Sequence, residues 1–267
     1  MMTVQKNHQL CAIKRMLKIM IQILLSGAGG KMGQVISRSV SERVDCRIAA
    51  GIDRQSAAVD YPIFEKPSDC DVCCDVIIDF SHPSLLEPLL DYAVSHKIPA
   101  VVCTTGLSPE QVDKLKQAAD KIPVFFSANM SLGVSLLCEL AKKAAKVLGS
   151  DFDIEIIEKH HNRKLDAPSG TALMLADAIS EELAQPPQYV YDRHSRRAAR
   201  SKEEIGIHSV RGGTIVGEHE ILFAGHDETL SLTHTAMSKE IFATGAINAA
   251  IFLAKQQPGL YNMGDLV

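Results

Sequence analysis

Residues 21–33 read IQILLSGAGGKMG, a pattern that predicts a short apolar strand, a glycine-rich turn and the start of a helix. Glycine lets the backbone turn tightly and approach a pyrophosphate, and the first N–H groups of a helix can hold that anion. Gly27, Gly30 and Gly33 give the spacing G-x-x-G-x-x-G, because Met32 occupies the place of the third glycine in the usual G-x-G-x-x-G. The turn therefore indicates a dinucleotide site, and a plain tight turn is the alternative.

A carboxylate that binds the adenosine ribose is expected about 20 residues after such a turn, at the end of the second strand. Residues 47–52 are predicted to form that strand, and Asp53 follows it directly. Arg54 comes next and can pair with a 2′-phosphate, although an ordinary surface arginine explains it almost equally well. Asp53 and Arg54 together predict that both NADH and NADPH are accepted.

The rest of the first half continues to alternate strand and helix patterns, which predicts a parallel sheet covered on both faces. Further strands are predicted at residues 75–80, 100–103 and 124–126, and a helix with a capping box is predicted to begin after Ser108. Ligands of open α/β sheets bind at the carboxyl ends of the strands. The small, polar loops Cys103-Thr104-Thr105-Gly106 and Ser127-Ala128-Asn129-Met130 are therefore expected to contact a nicotinamide and its ribose, unless they are plain strand-end loops.

The pattern changes after Ser131. A long helix to about Leu148, a strand over 152–158 and a helix over 169–183 are followed by an irregular basic segment over 185–204. Three strands are then predicted over 205–211, 214–223 and 229–234, with turns at 212–213 and 225–227, before a final helix over 240–255. The predicted class is α/β: an N-terminal Rossmann-type parallel sheet with a second α+β domain on an open mixed sheet, largely antiparallel.

Composition narrows the class of partner. The 267 residues are 46% hydrophobic with a net charge of −4, which disfavours a nucleic-acid partner. No run approaches the ~20 apolar residues of a membrane span, and an odd number of cysteines without a clear export signal predicts reduced thiols in the cytoplasm. Residues 1–19 are expected to be a disordered extension without function. The cluster Cys70, Cys73 and Cys74 is interpreted as packing or exposed thiols rather than a metal site.

Residues 158–172 read EKHHNRKLDAPSGTA and carry the chemistry. A strand delivers His160, His161 and Lys164 into a loop, and a helix is predicted to begin near Gly170 and Thr171. Histidine titrates near neutrality, lysine supplies a positive charge, and the helix start can hold a carboxylate. The combination describes a pocket for a dianion beside an acid. A metal site, a nucleic-acid patch and a solvated loop are the alternatives.

This segment resembles the signature of the 4-hydroxy-tetrahydrodipicolinate reductase family, E-x-H-H-x-x-K-x-D-A-P-S-G-T-A. Residues 27–33, 210–213, 216–219 and 222–225 also match family segments, in order. The resemblance covers residues 20–260. It implies NAD(P)H-dependent reduction of 4-hydroxy-tetrahydrodipicolinate to tetrahydrodipicolinate in the diaminopimelate and lysine pathway. Another dehydrogenase on the same fold would not explain the histidine loop, and a silent dinucleotide sensor would make that loop incidental.

The resemblance also implies domains and residue roles. Residues 20–130 and 241–267 would bind the dinucleotide, and residues 131–240 would bind the substrate and form a homotetramer. His160 and Lys164 would be proton donors, and the substrate carboxylates would bind His161, Gly170 and Thr171. Cys103 stands where the family commonly has glycine, so its side chain is expected to alter the nicotinamide contacts. The expected cofactor contacts are Gly27, Ala28, Gly29, Gly30, Lys31, Met32, Asp53, Arg54, Cys103, Thr104, Thr105, Ser127, Ala128, Asn129 and Met130.

Overall fold

The computed structural model describes residues 20–55, 58–127, 129–195 and 197–266. The expected disordered extension, residues 1–19, lies outside the described residues. The chain divides into two compact units, of which the first contains the described residues up to Met130 together with Phe242–Leu266. The second unit is Ser131–Ile241.

The regular elements alternate along the first half of the chain and then change to longer strands. The strands are β1 (Ile21–Ser26), β2 (Cys46–Ile52), β3 (Ile63–Phe64), β4 (Val76–Asp79), β5 (Ala100–Val102), β6 (Pro123–Phe126), β7 (Asp153–His160), β8 (Gln188–Val190), β9 (Glu204–Arg211), β10 (Gly217–Ala224), β11 (Thr229–Ala236) and β12 (Gly259–Tyr261). The α-helices are α1 (Lys31–Ser41), α2 (Leu86–His96), α3 (Pro109–Ala119), α4 (Leu132–Leu148), α5 (Gly170–Ser180) and α6 (Glu240–Leu253).

The first unit is built on a parallel seven-stranded sheet with the order β12-β6-β5-β4-β1-β2-β3. The strand order reverses between β1 and β4, and ligands of such sheets bind beside this point, at the carboxyl ends of the strands. This confirms the predicted Rossmann-type sheet. The edge strands β3 and β12 were not predicted, because two or three residues carry too little periodicity to distinguish a strand from a loop.

Both faces of this sheet are buried, because successive residues of its short strands are apolar and point to opposite faces. Leu24 and Ile77 face one apolar cluster with residues of α2 and α3, whereas Ile23 and Ile78 face another with residues of α1 and α6. These four side chains are fully buried, and each contributes roughly 1.5–3 kcal/mol to the hydrophobic stabilisation. The strands are thereby held rigidly, which places their carboxyl ends in one row.

The glycine turn after β1 depends on two glycines. Gly27 has φ of 80°, a left-handed conformation that favours glycine. A Cβ at Gly33 would overlap the carbonyl oxygen of Gly27 and lie 2.6 Å from that of Ala28. The missing side chain at Gly33 therefore lets α1 pack directly against the turn that precedes it.

The second unit contains a five-stranded mixed sheet with the order β11-β10-β7-β9-β8. Strand β10 is antiparallel to β7 and β11, while β9 is parallel to β7 and β8. This confirms the predicted mixed sheet, in which two of the four strand pairings are antiparallel. Gly212-Gly213 closes no hairpin, because β7 lies between β9 and β10. The turn at 225–227 does close the β10–β11 hairpin, as predicted. Strand β8 lies in the segment that was predicted to be irregular.

Replacing Gly33 with alanine should destabilise the protein, because the new methyl group overlaps backbone that the helix and the turn both hold in place. The expected loss is about 1–3 kcal/mol in the free energy of unfolding, measured by urea denaturation. Arg38→Ala, at an exposed position on the same helix, is the control and should change it by no more than about 0.5 kcal/mol. Equal stabilities of the two variants would contradict the close packing of α1.

Candidate active site

Strand β7 contains the first three residues of the segment 158–172. Its residues alternate between half-buried and buried, so Glu158 and His160 share the buried face while Lys159 lies on the other face and pairs with Glu218. His161 follows the last residue of the strand. The two adjacent histidines therefore have different surroundings.

The fully buried carboxylate of Glu158 is the centre of a hydrogen-bond network. Its Oε1 accepts hydrogen bonds from Arg211 Nη2 at 2.7 Å and from the backbone N–H of Ser169 at 3.0 Å. Its Oε2 accepts from Arg211 Nη1 at 2.7 Å and from His160 Nδ1 at 2.6 Å. Burial by itself would raise the pKa of Glu158, but the hydrogen bonds from Arg211 and His160 lower it to about 2. The group is therefore a carboxylate throughout the neutral range.

His160 is constrained on both sides of its ring. Its Nδ1 donates to Glu158, because an ionised carboxylate can only accept. A Cβ at Gly217 would lie 3.1 Å from its Nε2, and the ring of His219 stands edge-on with a centroid distance of 5.2 Å. Burial lowers the pKa of His160, and the hydrogen bond to Glu158 opposes that effect.

His219 and Ser169 connect this network to the start of helix α5. Burial lowers the pKa of His219 to about 4, so its ring is neutral near pH 7. Its Nε2 lies 3.1 Å from Ser169 Oγ, which in turn accepts from the N–H of Ala172 and caps α5. A Cβ at Gly170 would meet no atom within 4 Å, so the first residue of α5 borders open space.

Lys164 and His161 lie in the loop between β7 and α5. Lys164 Nζ is 2.9 Å from Asp166 Oδ1, and its positive charge is near enough to lower the pKa of His160. The N–H of Lys164 donates to the carbonyl oxygen of His161. His161 Nδ1 is buried and has no hydrogen-bond partner in the part of the chain that the structure describes.

Three residues of this network carried no predicted role: Glu158, Arg211 and His219. Glu158 stands two residues before His160 on a strand, so the period of two already indicated that both share a face. Arg211 and His219 lie in the segments 210–213 and 216–219, whose match to the family gave no role for their side chains. Only the sheet register brings them to Glu158.

The glycine turn in the first unit fits a dinucleotide phosphate. Helix α1 begins after Gly30, which makes no side-chain capping bond, so the N–H groups of the first turn are left for a ligand. Asp53 lies beside the turn, where its Oδ2 accepts from Gly29 N at 2.8 Å and its Oδ1 from Gln55 N at 2.9 Å. Each oxygen keeps a further lone pair for a ribose hydroxyl.

The ends of β4 and β5 are joined by hydrogen bonds. Thr104 Oγ1 donates to the fully buried Asp79 at 2.6 Å, and the N–H of Cys103 donates to the carbonyl oxygen of Asp79. The thiol of Cys103 lies in the apolar core of the first unit, where burial raises its pKa. The thiol is therefore enclosed by the protein, and its effect on nicotinamide contacts stays a prediction.

The remaining expected cofactor residues differ in exposure. Thr105 is exposed, Ser127 Oγ donates to the carbonyl oxygen of Asn129 at 2.9 Å, and Met130 is buried. Ala28 is fully buried and Lys31 exposed. Ala128 lies outside the described residues.

A cavity of about 720 Å³ lies in the first unit, beyond the end of β2. Arg54 and Lys66 supply two cations to its wall, Glu65 and Asp91 supply two carboxylates, and Ser68 and Ser84 supply hydroxyl groups. None of its lining residues comes from the segment 158–172.

The described cysteines only partly agree with the prediction of reduced thiols. The free thiols are Cys46, Cys70, Cys74, Cys103 and Cys138. Cys73 is instead disulfide-bonded, which corrects the prediction at that residue. Within the described ranges, no group of three or more His, Cys, Asp or Glu side chains could hold a metal ion, and no helix is long and apolar enough to cross a membrane.

Comparison with known proteins agrees with this geometry. Residues 21–130 match the family model described as "Dihydrodipicolinate reductase, N-terminus", and residues 133–267 match "Dihydrodipicolinate reductase, C-terminus". The chain belongs to the dihydrodipicolinate reductase family. The resemblance inferred from the signature segment is thereby confirmed.

Relatives of this reductase family match nearly the whole chain. The 4-hydroxy-tetrahydrodipicolinate reductase of Caldanaerobacter subterraneus subsp. tengcongensis is 48% identical over 249 residues, which are 93% of this chain and 99% of that protein. That of Staphylococcus saprophyticus is 47% identical over 92% of this chain and 100% of its own length. A dipicolinate-bound dihydrodipicolinate reductase from Paenisporosarcina sp. TG-14 superimposes with a TM-score of 0.77 at 26% identity, covering 93% and 100% of the two chains.

More distant neighbours share the fold alone. A myo-inositol dehydrogenase from Corynebacterium glutamicum has a TM-score of 0.57 at 18% identity, and covers 90% of both chains. Such proteins therefore support the architecture and carry no information on the substrate.

Because of the network around Glu158, the free energy of unfolding should decrease as the pH falls into the acidic range. The pKa of Glu158 in the folded protein is about 2, below the ordinary 4.5, so its contribution is complete above about pH 4.5 and is lost as the pH falls toward 2. Its size is of the order of 3 kcal/mol. Glu158→Gln should therefore be less stable than the wild type at pH 7, and the difference should shrink between pH 4.5 and pH 2.

Urea denaturation at a series of pH values measures this difference. Glu139→Gln, at an exposed position of α4, serves as the control and should follow the wild-type curve. A constant difference between wild type and Glu158→Gln over this range would contradict the depressed pKa.

Proposed function

We propose that the chain uses NADH or NADPH to reduce 4-hydroxy-tetrahydrodipicolinate to tetrahydrodipicolinate, with His160 and Lys164 as proton donors. As a member of this family the chain is a nicotinamide-dependent oxidoreductase of lysine and diaminopimelate biosynthesis. One observation supports the proposed roles most directly: His160 is held by the ionised Glu158, with the positive charge of Lys164 close by and the start of α5 beside them.

Two negatively charged carboxylates on the substrate match the donors at this place. Helix α5 begins at Gly170 and Thr171, and the first N–H groups of a helix attract anions. Lys164 adds a positive charge. The buried Nδ1 of His161 lacks a partner among the described residues, and such a nitrogen is stabilised when a ligand completes its hydrogen bonding. We assign His161, Gly170 and Thr171 to the carboxylates.

The proton reaches the ring from His160. Bound nicotinamide supplies the hydride, water leaves the hydroxylated ring, and one proton completes the balance of the reduction. Because Nδ1 of His160 is engaged by Glu158, the proton that is donated must come from Nε2 of the charged imidazolium. The substrate carboxylates favour that charged form, since an opposite charge within a few ångströms stabilises it. Lys164 balances the charge that develops on the ring and is the second group from which this one proton can come.

Both forms of the cofactor fit the end of β2. Asp53 can accept from a ribose hydroxyl, while Arg54 and Lys66 line one cavity and can pair with a 2′-phosphate. The residues assigned to the rest of the cofactor are the turn over 27–32 and the strand-end segments 103–105 and 127–130. For Cys103 the assignment concerns the backbone only.

The further proposal is a cytoplasmic homotetramer. Helices α4 and α5 pack on one face of the five-stranded sheet, and the residues of the opposite face in β7 and β10 are half-buried within a single chain. A second copy can cover that face. Five of the described cysteines are free thiols, which are typical of a reducing compartment, whereas Cys73 is disulfide-bonded. Sedimentation velocity measures the assembly directly.

Replacing His160 with asparagine should lower kcat by about 10²–10⁴-fold, because the proton donor is lost, while the Kd for NADPH stays unchanged. Lys164→Ala should lower kcat/KM and raise KM, since it also removes a carboxylate partner. Oxidation of the cofactor is followed at 340 nm, with substrate made in the cuvette from pyruvate and aspartate semialdehyde by the preceding synthase. His226→Asn, whose side chain is 97% exposed, is the control.

Two outcomes would contradict these roles. If His160→Asn turned over the substrate at the wild-type rate, His160 would not be the proton donor. Cofactor binding by the wild type without any turnover of the synthase product would instead favour a dinucleotide sensor.

Arg54 and Lys66 should distinguish the two cofactors. Arg54→Ala and Lys66→Ala should each raise KM for NADPH by about tenfold and leave KM for NADH within about twofold, because a charge-assisted hydrogen bond contributes roughly 1.5–3 kcal/mol. Asp53→Ala should weaken both cofactors, since both carry the ribose that it is proposed to bind. Equal losses for NADPH and NADH in Arg54→Ala would contradict the assignment of the 2′-phosphate to this cavity.

A further inference from the structure

We propose that Glu158 and Arg211 are positioning residues that fix the tautomer and the orientation of His160, leaving Nε2 as the nitrogen that exchanges its proton. This inference rests on the proposed role of His160 as acid. It adds the two residues on which that role depends, although neither would touch the substrate.

The hydrogen bonds of Glu158 leave no alternative arrangement for the imidazole. The carboxylate accepts two hydrogen bonds from Arg211, one from Ser169 N and one from His160 Nδ1, and the hydroxyl of Ser209 donates to it as well. A flipped ring would place a C–H group against the carboxylate and lose the 2.6 Å hydrogen bond. The neutral ring therefore carries its proton on Nδ1, and Nε2 has the lone pair.

Arg211 makes this buried carboxylate stable. It is aligned with His160 in the parallel pairing of β7 and β9, and its guanidinium binds both oxygens of Glu158. The same Nη2 donates to the carbonyl oxygen of Asp166 at 2.6 Å. One side chain thus joins β7, β9 and the loop that carries Lys164. A buried carboxylate without such a partner would be strongly destabilising.

The charges that face His160 come from four elements. Glu158 of β7 favours the imidazolium, whereas Lys164 of the loop and Arg211 of β9 disfavour it, as does burial. His219 of β10 is neutral near pH 7, because burial lowers its pKa to about 4. Glu158 is therefore the one favourable charge among these groups. Without it, Lys164 and Arg211 would act on His160 unopposed.

The same strand contains a matched control. Glu155, on the opposite face of β7, accepts from His208 Nε2 at 2.7 Å, from Arg200 Nε at 2.9 Å and from Arg193 Nη2 at 3.2 Å. It therefore combines the same three residue types away from His160. Glu155→Gln removes an equivalent charge without changing the environment of the proposed acid.

The first experiment reads the tautomer from the ¹⁵N chemical shifts of the wild-type imidazoles, and His160→Asn identifies the signals of His160. We expect neutral His160 to be protonated on Nδ1, and protonation on Nε2 would overturn the proposal. This measurement does not need turnover or a variant of Glu158. If His160→Asn keeps the wild-type rate, the proposed function fails while the tautomer result still decides the positioning.

The second experiment compares pH profiles of kcat/KM. An acid must be protonated, so activity falls as the pH rises through the pKa of His160. Glu158→Gln should move this alkaline limb down by about 1–3 pH units. The double variant Glu158→Gln, Arg211→Met should move the limb part of the way back, because it also lacks the positive charge of Arg211, which lowers the pKa of His160. Glu155→Gln should keep the wild-type limb.

Three results would overturn the proposal: an unmoved limb in Glu158→Gln, an equal shift in Glu155→Gln, or a double variant that does not move back. Should Glu158→Gln fail to fold, the wild-type tautomer decides alone.

Discussion

The second unit depends on one buried carboxylate. Glu158 is fully enclosed, and an ion in such surroundings is stable only when its hydrogen bonds are complete and an opposite charge is present. Meeting that requirement brings together Arg211, the N–H of Ser169 and the ring of His160. The proposed acid, the start of α5 and the loop with Lys164 are thus arranged by the contacts that stabilise one buried charge.

The same hydrogen bonds of Glu158 affect both the stability of the fold and the proposed chemistry. A strongly bound carboxylate stabilises the fold at neutral pH, and it also supports the charged form of a histidine that burial disfavours. His219 shows the contrast, since burial without a carboxylate partner lowers its pKa to about 4. The ring centroids of the two histidines are 5.2 Å apart, and burial lowers the pKa of both, but only His160 has a hydrogen bond to Glu158 that opposes the shift.

The first unit depends on a steric constraint instead. Helix α1 approaches the glycine turn so closely that no side chain fits at Gly33, and the carboxylate of Asp53 reaches back to Gly29. This arrangement leaves the start of α1 without a side-chain cap. Cys103 illustrates the limit of comparing motifs by residue type, because its thiol packs in the apolar core of the first unit.

The amino-acid sequence by itself determined the strand–turn–helix at residues 21–33, the parallel sheet, the capping box at Ser108, the end of α4 at Leu148 and the family. Each is a local property of spacing and residue type, so it can be recognised without knowing what lies nearby. The order β11-β10-β7-β9-β8 was decided only by the tertiary structure, and with it the failure of Gly212-Gly213 to close a hairpin. The contact of Arg211 with Glu158, 53 residues away, depends on that order, because strand register and not sequence distance places the two side chains together.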